Sequence, residues 1–109
     1  MTPLLVITNF PDRDSAERLA EVLVEQRAAA CVNVLGACRS VYRWREQVER
    51  AEEFPVFIKT TAEAYPRLEQ LIREQHPYEL PEIIAVPIDR GLPAYLAWVV
   101  AETGGPDTR

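Results

Sequence analysis

Alternating blocks of apolar and polar residues predict short strands and amphipathic helices. Leu4–Asn9 is a nearly unbroken apolar run between two prolines, which is typical of a strand buried on both faces of a sheet. Beyond Pro11, Asp14 can cap a helix, and Glu17 follows three residues later as in a capping box. Apolar residues then recur at helical spacing over Ala16–Leu23, so the pattern predicts an amphipathic helix packed on the sheet.

The middle of the chain predicts a long hairpin. Cys31–Leu35 is mostly apolar, Gly36 interrupts it, and Arg39–Arg45 continues as an extended stretch. The turn is predicted at Arg45–Gln47, after which the chain returns through Val48–Thr61.

This return strand is too long for a small compact body. Its fourteen residues span ~46 Å at ~3.3 Å per residue, whereas a compact chain of this size is about 35 Å across. Pro55 within it requires a sheet edge or a bulge, because proline cannot donate to the ladder. The hairpin must bend, or project and pair with another copy, since an isolated ribbon is marginal in water.

The second half of the chain predicts two helices and a strand. Thr60 and Glu63 form another capping-box pattern before a helix over Tyr65–Gln75. Glu82–Val86 is the fourth predicted strand, and Leu92–Glu102 is a closing helix with apolar residues on more than one side. That last helix requires burial against its own sheet and against a second surface.

The order of these elements predicts an α+β fold in a single domain over residues 1–109. It is a ferredoxin-like split βαβ sandwich (βαββαβ) with an additional C-terminal helix, assembled as a homo-oligomer. Right-handed crossovers place both main helices on one face of an antiparallel sheet.

Composition narrows the classes of function. Seventeen acidic against twelve basic residues give a net charge of −5, which disfavours nucleic acid and anionic membranes as partners. No apolar run approaches the ~18 residues that cross a bilayer, and the first residues lack a signal-peptide pattern. Two cysteines are too few for a secreted disulfide scaffold. We therefore expect a cytoplasmic protein that binds neither nucleic acid nor membranes.

The segment His76–Glu82 concentrates the candidate chemistry. It holds the only histidine and two carboxylates at a helix-to-strand junction. This segment can supply metal ligands or an acid/base pair, or His76 can simply cap helix carbonyls while Tyr78 packs. One histidine and two separated cysteines cannot complete a tight transition-metal site within one chain, so any such site is loose, completed by water or shared between subunits.

Other catalytic signatures are missing from the sequence. It has no phosphate-binding glycine loop, nucleophile elbow, paired CxxC or HExxH pattern, so we predict that the protein is not an enzyme. Arg43 and Trp44 belong to a stretch of alternating cations and aromatics, which suits an anion site, cross-strand ion pairs or a subunit contact. Lys59, the only lysine, is either a surface side chain or a charge facing an anion in a cleft.

Five sequence pieces identify a resemblance to the CutA divalent-cation-tolerance family over nearly the whole chain. They are Ala29–Asn33, Ser40–Trp44, Ile58–Thr61, the segment His76–Glu79 with Pro81–Ile84, and Tyr95–Trp98. The resemblance implies a ferredoxin-like fold, a tight homotrimer built through the long hairpin, and a part in metal tolerance, often stated for copper.

The resemblance also implies that His76 and Glu82 are metal ligands. The leading hypothesis is a non-enzymatic cytoplasmic homotrimer that binds copper or other divalent cations weakly at clefts between subunits. Tyr78 and Glu79 would then lie around the ligands. In a third and weaker hypothesis, His76 works with Glu79 or Glu82 as a general acid/base in an enzyme.

A second hypothesis concerns a different ligand. The chain would form a signalling or scaffolding trimer that resembles P-II-type regulators and binds a small anionic metabolite between subunits. Lys59, Arg43 and Trp44 would then form its binding site.

Overall fold

The computed structural model describes residues 2–104. This part of the chain has a mixed α+β fold with an antiparallel sheet and three helices. The elements are β1 Pro3–Phe10, α1 Arg13–Glu25, β2 Cys31–Val34, β3 Cys38–Trp44, β4 Gln47–Thr61, α2 Tyr65–Gln75, β5 Ile83–Pro87 and α3 Pro93–Glu102. Among residues 2–104, no helix combines the length and apolar character needed to span a membrane.

Strand β4 belongs to two parts of the molecule. Its C-terminal half lies in a sheet with the order β2-β4-β1-β5, while its N-terminal half pairs with β3. All of these pairings are antiparallel. We call the β2-β4-β1-β5 sheet with α1 and α2 the body, and we call the ribbon of β3 and Gln47–Glu53 the arm.

Both α1 and α2 pack on one face of the body sheet. Val6 and Phe10 of β1 point to this face, because side chains alternate along a strand. They form one buried cluster with side chains of β4, α1 and α2, namely Val56, Ile58, Ala16, Leu19, Leu23, Leu68 and Ile72. Shared burial in this cluster holds the two helices and the sheet together.

The body and the arm meet at Pro55. Residues 35–37 separate β2 from β3, so the sheet has five strands where four were predicted. The pairing of β2 ends opposite Val56 and that of β3 begins opposite Glu53, which leaves Pro55 at the break. The Pro55 carbonyl accepts a hydrogen bond from the Leu35 N–H at 2.9 Å. The Pro55 nitrogen faces the same gap between β2 and β3, where neither strand requires a backbone N–H from β4.

Two predicted helix caps are wrong. Asp12, not Asp14, caps α1, because its extended backbone directs its carboxylate to the Ser15 N–H at 2.7 Å. Ala64 is the N-cap of α2 and makes no side-chain capping bond. Thr60 lies within β4 and donates its hydroxyl to a backbone carbonyl instead.

The arm makes the molecule elongated. The principal-axis extents of the described chain are 47 × 28 × 23 Å. Strand β4 runs without interruption from Gln47 to Thr61. Trp44 pairs with Gln47 across a two-residue turn. The turn residues Arg45 and Glu46 have φ angles of 50° and 70°, as a tight hairpin turn of the primed types requires. The predicted turn is confirmed, and the long strand projects.

The opposite face of the body sheet remains apolar and open in the single chain. On this face, Ile84 is 50% and Val86 46% exposed. Helix α3 contacts β1 and β4; its Val99 is buried, whereas Trp98 is 43% exposed. A chain with so much apolar surface on one side is suited to association.

Candidate functional site

Asn9 joins both ends of the segment 76–82. Its backbone carbonyl accepts a hydrogen bond from Nε2 of His76 at 2.5 Å. Its side-chain Nδ2 donates to Oε1 of Glu82 at 2.8 Å. The two residues predicted as metal ligands therefore contact the same residue at the C-terminal end of β1.

His76 is packed in an aromatic environment and is only 8% exposed. Its ring centroid lies 4.2 Å from that of Phe10 and 4.8 Å from that of Tyr78. The Tyr78 N–H donates to Nδ1 at 3.2 Å, so the hydrogen bonds assign the proton to Nε2 and a lone pair to Nδ1. Burial lowers the pKa of His76 more than the bond to Asn9 raises it, which favours the neutral ring.

A cleft of about 700 Å³ opens between the segment 76–82 and the arm. Aromatic side chains of both parts line it, namely Tyr42, Trp44 and Tyr78. Carboxylates line it as well, namely Glu53, Glu79 and Glu82. This volume is within the range of small-molecule sites.

Tyr78 connects the two sides of the cleft. Its hydroxyl donates to Oε2 of Glu53 at 3.0 Å. Burial, reinforced by this bond and by the charge of Glu53, raises the pKa of Tyr78 to about 12. The hydroxyl therefore stays protonated near neutral pH and remains a donor.

The rim of the cleft carries one ion pair. Arg45 at the tip of the arm contacts Glu79 at 2.9 Å, and its guanidinium lies 5.2 Å from the centre of the Trp44 ring. Both partners are largely exposed, so this pair contributes little to stability. It links the tip of the arm to the segment 76–82.

The structure keeps Lys59 away from Arg43 and Trp44 within one chain. Lys59 lies in the body, where its ammonium hydrogen-bonds to the side chain of Asn33. Arg43 is opposite Val48 in the arm, and the strand from Val48 to Lys59 spans ~36 Å at ~3.3 Å per residue. A single chain therefore does not favour an anion site formed by these three residues.

The sequence pattern did not identify Asn9 and Glu53, the two residues that organise the site. Asn9 could have been noticed as the polar residue that ends an apolar strand. Glu53 gave no distinguishing signal, since it lies among other glutamates of the return strand. Within residues 2–104, no group of three or more His, Cys, Asp or Glu side chains is placed to hold a metal ion.

Comparison with known proteins decides the family. A family model described as CutA1 divalent ion tolerance protein matches residues 4–102. The chain belongs to this CutA1 family. It is 40% identical over 100 residues to the divalent-cation tolerance protein CutA of Thermus thermophilus, covering 92% of this chain and 97% of the relative. It is also 40% identical to protein CutA of Mus musculus over 89 residues, covering 82% of this chain and 50% of the mouse protein.

Solved CutA1 structures have the same fold. The structure from Thermus thermophilus matches with a TM-score of 0.92 at 39% identity, covering 94% of this chain and 99% of that one. CutA1 from Oryza sativa matches with a TM-score of 0.92 at 32% identity, covering 95% of each chain. The predicted CutA resemblance is confirmed.

Some of the CutA1 relatives are named for divalent-cation tolerance, whereas others are called only protein CutA. Their names also differ in compartment: an Arabidopsis thaliana relative is called chloroplastic, and the CutA protein from Archaeoglobus fulgidus is called periplasmic.

Proposed function

We propose that this CutA1 chain is a non-enzymatic, cytoplasmic homotrimer that binds copper or another divalent cation weakly. His76 and Glu82 supply ligands, and a second copy or water completes the site. The single observation that carries this proposal is the convergence of His76 and Glu82 on Asn9 in a chain of a divalent-cation tolerance family.

The hydrogen bonds of His76 suit a metal ligand. A ligating histidine usually donates its second ring N–H to a carbonyl or carboxylate, which fixes its tautomer. Here Nε2 donates to the Asn9 carbonyl, and Nδ1 carries the lone pair. Within residues 2–104, the hydrogen bond that binding at Nδ1 would replace is the 3.2 Å bond from the Tyr78 N–H.

The shape of the chain supports assembly of copies. The molecule is 47 Å long and carries the arm as a projecting ribbon, and the open sheet face exposes Ile84 and Val86. The sheet order β5-β1-β4-β2 is the one expected for a ferredoxin-like fold, with β3 as an extension of the edge strand. One histidine and one carboxylate are too few for a tight metal site, so a partner copy or water supplies what is missing.

Copper titration tests the ligand assignment. We expect Cu²⁺ to bind the wild type by calorimetry, and we expect His76→Ala and Glu82→Gln each to weaken binding by about tenfold or more. Glu52→Gln is the matched control, because Glu52 is an exposed carboxylate on the face of β4 that points away from the cleft. Circular dichroism establishes that each variant is folded.

Equal copper binding by the wild type and a folded His76→Ala variant contradicts the assignment of His76. Equal binding by Glu82→Gln contradicts that of Glu82 independently. Wild type that binds no divalent cation at all contradicts metal binding as the function, whatever the assembly.

A further inference from the structure

Glu53 is a buried carboxylate without a cation. It is 8% exposed, and in residues 2–104 no Lys, Arg or His nitrogen lies within 4.0 Å of its oxygens. The Tyr78 hydroxyl satisfies Oε2, whereas Oε1 has no hydrogen-bond partner among these residues. Oε1 is not among the fully enclosed polar atoms of these residues, so it faces open space. Glu53 lines the cleft, so the cleft is where a compensating positive charge can enter.

The walls of the cleft suit an organic cation. Aromatic faces attract positive charge, and the attraction grows when water is excluded. Tyr42 and Trp44 line the arm side of the cleft, and Tyr78 lines the opposite side. Arg45 at the tip of the arm is paired with Glu79, and the described residues that line the cleft include Glu53 and Glu82 but no Lys or Arg.

We propose that this cleft binds a guanidinium or primary ammonium group carried on a short apolar stem. The charged head lies against Glu53, and the stem packs between the aromatic rings of the arm and Tyr78. At Glu53 itself a bare metal ion fits poorly, because it requires several converging oxygen or nitrogen ligands. The proposal does not depend on the metal site, since it rests on Glu53 and the aromatic walls.

The cationic group has two possible sources, a free small molecule or an arginine of another copy. The arm itself presents such arginines. Arg39, Arg43 and Arg50 are exposed and, by the register of β3 and β4, share the face of the arm that points away from Tyr42 and Trp44. One face of the arm is therefore basic, while the other lines the acidic cleft.

Calorimetry with n-butylguanidinium tests the proposal, with n-butylurea as the uncharged probe of similar shape. EDTA in all solutions separates the result from metal binding. We expect one n-butylguanidinium per chain, and no n-butylurea, in the protein whose cleft is free, which is either the wild type or the arginine variant described below. Glu53→Gln and Tyr42→Leu should each weaken binding by about tenfold or more. Glu52→Gln is the matched control, because Glu52 is the adjacent, exposed residue on the other face of β4.

A variant that lacks three arginines of the arm identifies the source of the cation. If an arginine of another copy fills the cleft, the wild type rejects the probe, and a variant with Arg39→Gln, Arg43→Gln and Arg50→Gln binds it. Binding by the wild type identifies a free small molecule. The proposal is overturned if neither protein binds the probe, if n-butylurea binds equally well, or if Glu53→Gln binds like wild type. Should Glu53→Gln not fold, unchanged binding by Tyr42→Leu overturns it.

Discussion

Asn9 shows how much of the site depends on one side chain and its own backbone. Its carbonyl fixes the tautomer of His76, and its amide holds Glu82. Because both bonds start from the end of β1, the segment between α2 and β5 is positioned by the sheet. Asp12, three residues later, determines where the next helix begins. Single polar residues at strand and helix ends therefore position the segments that carry the chemistry.

For single residues at the start of α1, we predict that Asp12→Ala lowers the urea midpoint of unfolding, whereas Asp14→Ala changes this midpoint much less. Both variants remove one carboxylate near the start of α1, but only Asp12 bonds to Ser15. These bonds hold the pKa of the Asp12 carboxyl below its usual value. The cap therefore stabilises the fold fully above the unfolded-state pKa, and its contribution is lost as the pH falls through the folded-state pKa.

Urea titrations near neutral pH and below about pH 3 check this expectation. The difference between wild type and Asp12→Ala should be present at neutral pH and should decrease in acid. Equal midpoints for the two alanine variants at neutral pH would show that Asp12 is not the effective cap.

At the level of elements, the hairpin turn carries backbone strain. Arg45 and Glu46 both adopt left-handed φ angles, which cost residues with a Cβ about 1–2 kcal/mol each. Glycine and asparagine are the usual residues at such positions. The arm therefore forms despite its turn residues, and the ladder between β3 and β4 compensates for the strain.

We predict that Glu46→Gly raises the free energy of unfolding by about 0.5–1 kcal/mol, after the added chain entropy of glycine is subtracted. Glu46→Ala is the control, because it removes the same charge but retains a Cβ at φ 70°. Chemical denaturation of both variants measures the difference. A stability for Glu46→Gly no higher than that of Glu46→Ala would contradict the assignment of strain to this turn.

Local patterns predicted the elements well and their tertiary contacts poorly. The bounds of α2, Tyr65–Gln75, follow from its apolar spacing and Pro66, and the turn at Arg45 follows from its position between two extended runs. The cap of α1 was misplaced by two residues because Asp12 and Asp14 are both capping residue types. The hydrogen bond between Glu53 and Tyr78 joins residues 25 positions apart. The periodic pattern of apolar residues does not predict such a long-range contact.

At the scale of the whole molecule, the distribution of apolar surface is uneven. The face covered by α1 and α2 is closed, with Val6, Leu19 and Ile72 fully buried. The opposite face leaves Ile84 and Trp98 about half exposed. Exposed apolar residues on both the sheet and α3 favour burial against another copy, which is the basis of the proposed trimer.

We predict that Ile84→Glu dissociates the trimer, while Val24→Glu leaves it intact. Both residues are exposed and apolar, at 50% and 44%, but Val24 lies on α1, away from the open face. Sedimentation equilibrium should give three times the 12.4 kDa chain mass for wild type and Val24→Glu. A monomeric wild type, or a trimeric Ile84→Glu, would contradict the proposed interface.

Strand β4 runs through the body and the arm as one continuous strand. The number of residues between the two parts therefore determines which face of the arm points to the cleft. Inserting one residue beside Pro55 would leave the body register intact but shift the arm by one position. Because side chains alternate along a strand, the shift would exchange the two faces of the arm. Glu53 would leave the cleft, and the arginine face would turn toward it. Insertions or deletions beside Pro55 should therefore be tolerated only when they add or remove an even number of residues, because an even number keeps each side chain on its original face.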